Sequence, residues 1–152
     1  MTVYEHTQRS ARVRALFLGA GCLALAALWA ASAQLSTGPR LTLGAAALVL
    51  LVTAFVFSRF TIQVSADRLA WHFGAGVLAK TVPVATIVSA DPTSTSALEG
   101  WGVHLTTRGW LYNVAGRGAV LVTLADGTRF LLGSDEPDAL VRAIRAVQAG
   151  RS

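Results

Sequence analysis

The side chains with the widest chemical repertoire in this sequence are three histidines, His6, His72 and His104. Metal sites need ligands that converge, and their short sequence spacings reflect that. These three are unclustered. His72 alternates with Trp71 and Phe73, which predicts a place on the solvated face of a strand, and His104 reads the same way. The carboxylates Asp91, Glu99, Asp126, Asp135, Glu136 and Asp138 fall mostly in turn segments or at a helix start. There, short acidic side chains are favoured for local hydrogen bonding. Gly74-Ala75-Gly76 and Gly116-Arg117-Gly118 read as hairpin turns, without the following helix and Lys of a phosphate-binding loop. The single cysteine, Cys22, lies in an apolar run, where it acts as a small hydrophobe and has no intrachain disulfide partner. No catalytic residue, metal ligand or cofactor site emerges. The expectation is a protein that is not an enzyme.

The elements that position these residues divide the chain in two. Across its 152 residues, 53% are hydrophobic and 14% charged, against about 25% charged in an ordinary soluble domain. The deficit lies between residues 15 and 58, where Arg40 is the only charge. The net charge of +5 is also unevenly placed. Arg9, Arg12, Arg14, Arg40 and Arg59 flank the apolar runs, whereas from Phe60 onward eight bases face seven acids. A nearly neutral C-terminal part lacks the dense basic patch of a nucleic-acid-binding surface, so no nucleic-acid partner is expected.

Residues 15–35 are free of charge and long enough to span a bilayer, which takes about 20 apolar residues. Residues 41–57 form a second uncharged run that extends to residue 58 if Arg59 snorkels. The segment 36–40, with Gly38 and Pro39, ends one helix and turns the chain. The predicted hairpin is rich in small residues that permit close helix contact. It lacks the ionisable residues that mark a pore. Arginines flank the outer ends of both runs, so the positive-inside rule places both termini in the cytoplasm. A rival reading is a cleaved signal peptide, with Ala31-Ser32-Ala33 as its cleavage pattern.

Beyond Arg59 the pattern changes to short alternating runs over residues 60–64, 69–73, 77–82, 84–88, 102–106, 110–114, 120–124 and 128–132, which predict an antiparallel meander. Residues 91–100 read as a loop. Asp126-Gly127 is the clearest hairpin signal. Ser134 to Pro137 then opens a helix, with Leu140, Val141, Ile144 and Val147 at helical spacing and Gly150 as its stop. The expected organisation is a basic cytoplasmic tail (1–14), transmembrane helix 1 (15–35), an external turn (36–40), transmembrane helix 2 (41–58) and a cytoplasmic domain (59–150).

Four stretches carry a resemblance: FTIQVSADRLAWHFG (60–74), the run Val82-Pro83-Val84-Ala85-Thr86-Ile87, Gly100-Trp101-Gly102-Val103, and VLVTLADGTRFLLGSDEPDALVRAIRAV (120–147). With the two apolar runs, the chain resembles small bacterial two-helix membrane proteins with a C-terminal pleckstrin-homology-like domain. The resemblance implies an α+β membrane protein: an N-terminal transmembrane helical hairpin, then a pleckstrin-homology-like antiparallel β-barrel or sandwich with one C-terminal helix. It implies no catalytic residues. Phosphoinositide-binding members gather several bases around the first hairpin. Here that hairpin is Ser65-Ala66-Asp67-Arg68, one base beside an acid, which argues against specific phosphoinositide binding. The Trp found in the C-terminal helix of eukaryotic members is missing.

The expected function is a membrane-anchored binding or scaffolding module at the inner face of a bacterial plasma membrane. Its partner would be another protein, with weak anionic-lipid contact through Arg12, Arg14 and Arg59. One alternative is an accessory subunit docking through its helical hairpin; another is a small-ligand site at the barrel mouth. Trp101, Arg108, Trp110 and Tyr112, within residues 98–113, are of types that favour a membrane–water interface. The competing reading of the two tryptophans is as core side chains.

Overall fold

The structure, a computed structural model, describes residues 2–96 and 102–151. In chain order the elements are β1 (Thr2–Arg9), α1 (Ala11–Ala30), α2 (Thr37–Val56), β2 (Arg59–Ser65), β3 (Arg68–Phe73) and β4 (Val77–Pro83). A single 3-10 turn, Val84–Thr86, leads to β5 (Ile87–Ser94), β6 (Gly102–Thr106), β7 (Gly109–Asn113), β8 (Gly118–Leu124), β9 (Arg129–Gly133) and α3 (Pro137–Ala149).

Both apolar runs are helical and longer at their starts than the sequence pattern predicts. α1 begins at Ala11, because Ser10 caps it by accepting the Val13 N–H at 3.2 Å. Arg12 and Arg14 therefore belong to its first turn. α2 begins at Thr37, so Gly38 and Pro39 lie inside the helix rather than in the connection. Pro is tolerated there because first-turn N–H groups have no intrahelical acceptor in any case. The helices pack side by side at Gly21, where an added Cβ would stand 2.8 Å from the Leu51 side chain. Each is long and apolar enough to cross a membrane, with mean hydropathy 1.8 and 1.9. Only 11% of each span is buried by the rest of the protein. The outer faces, with Leu23, Trp29, Val49 and Phe55 exposed, form a continuous apolar surface of a kind that soluble proteins avoid.

The strands form two sheets with no strand in common, in the orders β1-β2-β3-β4 and β5-β8-β9-β7-β6. The first is antiparallel throughout and contains a strand absent from the sequence reading. Residues 2–9, expected as part of a basic tail, are β1. They pair with β2 from Thr2↔Ser65 to Arg9↔Arg59. In the second sheet β7 and β9 are parallel, with Trp110 opposite Phe130 and Tyr112 opposite Leu132. A pure meander is therefore not what forms. The β8–β9 hairpin at Asp126-Gly127 closes as the sequence predicts, with Thr128 N–H donating to Asp126 Oδ1 at 2.8 Å and Gly127 at φ +85. That hydrogen bond holds the Asp126 carboxyl below its ordinary pKa. β9 then inserts between β8 and β7. β5 continues to Ser94 through a segment expected as loop, and Pro92 is accommodated because β5 is an edge strand.

The inner faces of the two sheets meet in one core. Phe60, Ile62, Leu69, Trp71 and Phe73 from the first face Tyr112, Val120, Val122, Phe130 and Leu132 from the second. α3 covers one flank by burying Leu140, Val141, Ile144 and Val147, the four residues whose spacing predicts its apolar face. The described residues form an α+β fold of two long apolar helices, two sheets and a C-terminal helix. They form no closed barrel.

β1 is also fastened from the side. Gln8 Nε2 donates to the Ala115 carbonyl at 2.9 Å, and the Thr7 and Thr61 hydroxyls are 2.9 Å apart. His6 Nε2 lies 2.5 Å from Asp135 Oδ1 at the start of α3. The half-buried Tyr4 has a shielded hydroxyl whose neighbour is the Ser134 side chain, outside good hydrogen-bond geometry. Its burial, and then the Glu136 carboxylate, raise its pKa. A raised folded-state value means that the contribution to stability is whole below the usual tyrosine pKa of about 10 and is lost as pH rises through the folded value. Alkaline conditions should therefore loosen β1. Tyr4→Phe should remove that dependence and change the stability at neutral pH by less than about 1 kcal/mol, since the hydroxyl it deletes has at best a poorly aligned neighbour in Ser134. Denaturation midpoints of the two proteins from about pH 8 to about pH 11 test this. Parallel curves would exclude the Tyr4 effect.

Candidate functional site

The helices join the sheet almost without connectors. Ser10 alone separates β1 from α1, and Phe57 and Ser58 alone separate α2 from β2. The Ser10 N–H donates to the Ser58 carbonyl at 3.1 Å, so the β1–β2 ladder continues to the feet of both helices. This geometry gathers arginines that are far apart in sequence. Arg9 stands directly opposite Arg59, and Arg14 lies about one turn further into α1. With Ser10, Ser58 and Leu18, the three line a cleft of about 370 Å³. A second cleft of about 260 Å³ shares Arg14, Ser58 and Arg59 and runs between the helices past Leu51, Ala54 and Phe55.

The cluster is electrostatically uncompensated. None of Arg9, Arg14 and Arg59 has an ion pair with a described carboxylate, and the first turn of α1 contains no acid. Like charges directly opposite on paired strands are unfavourable, and Arg9↔Arg59 is such a pair.

Two other features share this end of the domain. The turn between β3 and β4 abuts α2: the Gly74 N–H donates to the Arg59 carbonyl at 3.0 Å, and a Cβ on Gly74 would lie 3.2 Å from the Val56 carbonyl oxygen. Just past this turn, Val77 and Leu78 are exposed, and Leu78 holds φ +53, an uncommon conformation for a bulky residue. On another side, a groove of about 410 Å³ separates the hairpin from the second sheet. Val13, Phe17, Phe57 and Val103 make it mostly apolar, and His104 and Asn113 add polar groups.

The residues singled out for a membrane interface are not one group. Arg14 and Arg59 meet in the cluster, whereas Arg12 lines an adjoining recess with Ala115 and Gly116 that shares Arg9 and Ser10 with the cluster. Trp101 lies outside the described residues. Tyr112 is buried in the core, where its ring meets Trp71 at 5.3 Å. Trp110, open to the competing core reading, is 46% exposed and pairs across β6–β7 with the exposed Leu105. Lys80 Nζ stands 6.0 Å from the Trp110 ring and 5.4 Å from the Tyr112 ring. Arg108 is engaged in the fold, donating to Thr93 Oγ1 at 3.1 Å and to the Ser94 carbonyl at 3.0 Å. The end of the β6–β7 hairpin that meets the helices is the Gly102/Asn113 end, while Arg108 and Trp110 belong to the tip.

Arg9 is the residue that the sequence reading leaves out, because its place depends on β1. The signal available was the strand-favouring run Thr2-Val3-Tyr4 with Thr7. Of the histidines, His72 is half-buried with Nδ1 shielded and without a partner among the described residues, and His104 is also half-buried. Among the described residues, no three His, Cys, Asp or Glu side chains converge as metal ligands. No protein-family model matches the chain, and no curated protein matches it.

Proposed function

We propose that this protein is a non-enzymatic, membrane-anchored binding or scaffolding module, its two packed sheets and C-terminal helix forming a pleckstrin-homology-like domain at the cytoplasmic face of a bacterial plasma membrane. The observation that carries this reading is the pairing of β1 with β2 across the feet of the helical hairpin. A strand before the first helix that pairs with a strand after the second supports a hairpin with both ends on one side of the membrane. The arginines at those ends favour the cytoplasmic side. Signal-peptide cleavage after Ala33 would remove β1 and leave β2 as a raw edge, so β1 argues for retention of the N-terminal segment.

A domain fixed this closely to a bilayer presents its surfaces at a set height. Val77 and Leu78, beside the end of α2, would lie at the headgroup layer. Arg12, Arg14 and Arg59 would contribute weak general attraction to anionic lipid. The exposed Leu105–Trp110 pair and the outer edges of β4 and β6 are the surfaces suited to another protein. The rival role, an accessory subunit docking through its helices, rests on their open apolar faces. A second reading, an apolar small ligand, is favoured by the groove containing Phe17, Phe57 and His104.

The test is a C-terminal tag in native membranes, combined with cross-linking and identification of what co-purifies. The expected result is a tag protected from outside and one dominant protein partner. A tag accessible from outside would overturn the orientation. Replacing residues 11–57 with a tight turn would join β1 directly to β2, and the scaffold reading expects this soluble form to keep the partner. Its loss would favour the subunit reading.

A further inference from the structure

The arginine cluster has more structure than general attraction to a charged membrane requires. A merely basic rim would spread its charges. Here the strand register forces Arg9 and Arg59 into a directly opposed pair, and α1 adds Arg14 over the same cleft. No described carboxylate answers any of the three. An anion placed between them would convert a repulsive arrangement into charge-assisted hydrogen bonds, and guanidinium groups match phosphate geometry best. From Arg14 and Arg59, which line both clefts, the second leads between the helices past the apolar side chains of Leu18, Leu51 and Phe55. The close Gly21–Leu51 contact marks how tightly the two helices pack beyond it.

We infer that Arg9, Arg14 and Arg59 form a specific site for one anionic phospholipid, with its phosphate between the guanidinium groups and an acyl chain along Leu18, Leu51 and Phe55. The inference rests on the membrane-anchored reading above and deepens it. A lipid so held would bridge both strands and both helices at the point where the domain meets the hairpin.

The full-length protein would be reconstituted in phosphatidylcholine vesicles containing a minor fraction of phosphatidylglycerol, then released gently and weighed intact by native mass spectrometry. The expected result is one retained phosphatidylglycerol per chain, at least tenfold enriched over phosphatidylcholine. Arg14→Gln and Arg59→Gln should each lower that retention about tenfold, and Arg59→Lys should restore part of it. Arg12→Gln removes the same formal charge from the same helical turn, but Arg12 lines neither cleft of the site, only the recess adjoining it at Arg9, so this variant should leave the one-lipid species in place. Thermal melts of all variants separate lost binding from lost folding. Arg14, on the helix rather than in the β1–β2 ladder, carries the test if Arg59 variants fail to fold. Equal retention of the two lipids, or equal loss in Arg12→Gln and Arg14→Gln, would overturn the site. Displacement of the lipid by millimolar inorganic phosphate would assign the arginines to free phosphate and overturn the lipid. Failure to float with the vesicles would instead refute the membrane reading on which the site depends.

Discussion

Gly109→Ala should cost about 4 kcal/mol or more, a large share of the stability of an ordinary domain. Gly109 opens β7 at φ +118, where a side chain is strained. An added Cβ would overlap the Arg129 carbonyl oxygen and lie 2.6 Å from its carbonyl carbon. Both atoms are backbone of β9, so the collision cannot be relieved by rotating a side chain. It could be relieved only by moving apart the parallel β7–β9 pair. Gly76→Ala is the informative comparison, because Gly76 has φ +99 but open space around it. It should cost about 1 kcal/mol, from backbone strain alone. Urea denaturation followed by circular dichroism measures both. Equal costs would show that the close approach of β9 is not what Gly109 serves.

Trp71→Ala should destabilise by about 3–5 kcal/mol, the range for deleting a large buried aromatic. Trp71 is on β3 in the first sheet and is buried to 2% exposure. Its ring stacks on Phe130 of β9 at 4.9 Å and meets the edge of Tyr112 of β7 at 5.3 Å. One side chain thus joins the two sheets through both members of the parallel pair. Its indole N–H is buried without a partner among the described residues, which makes Trp71→Phe a sharper experiment. That variant loses area but also sheds an unsatisfied donor, and should cost less than about 1.5 kcal/mol. A Phe variant as unstable as the Ala variant would mean that the indole N–H has a bonding role.

What was legible in the sequence was what repeats locally. The apolar runs, the α3 stripe and the Asp126-Gly127 hairpin each declare themselves within a few turns of chain. β1 was not legible, because eight residues beside arginines resemble a charged tail until their partner, some fifty residues later, is known. The parallel pairing of β7 with β9 was hidden for the same reason: turn residues report which neighbours can fold back, not which distant strand inserts between them. Trp110 and Tyr112 show the limit of alternation itself. They share one face of β7, yet Tyr112 lies under Trp71 while Trp110, nearer the hairpin tip, is 46% exposed. Arg9 follows from β1, so the cluster it completes became visible only in three dimensions.

The direct junction at Ser10 and Ser58 also has a consequence for how the molecule is made. β1 precedes both apolar helices in the chain, and its partner β2 is synthesised only after them. The first sheet cannot close until both helices have been made and their ends brought together. The core strands that depend on it, β3 with Trp71 among them, must wait as well. On the membrane-anchored reading proposed above, completion of the domain would depend on both helices inserting: a chain in which only one of them crossed would part β1 from β2. The pairing of β1 with β2 would then report that both helices are in place.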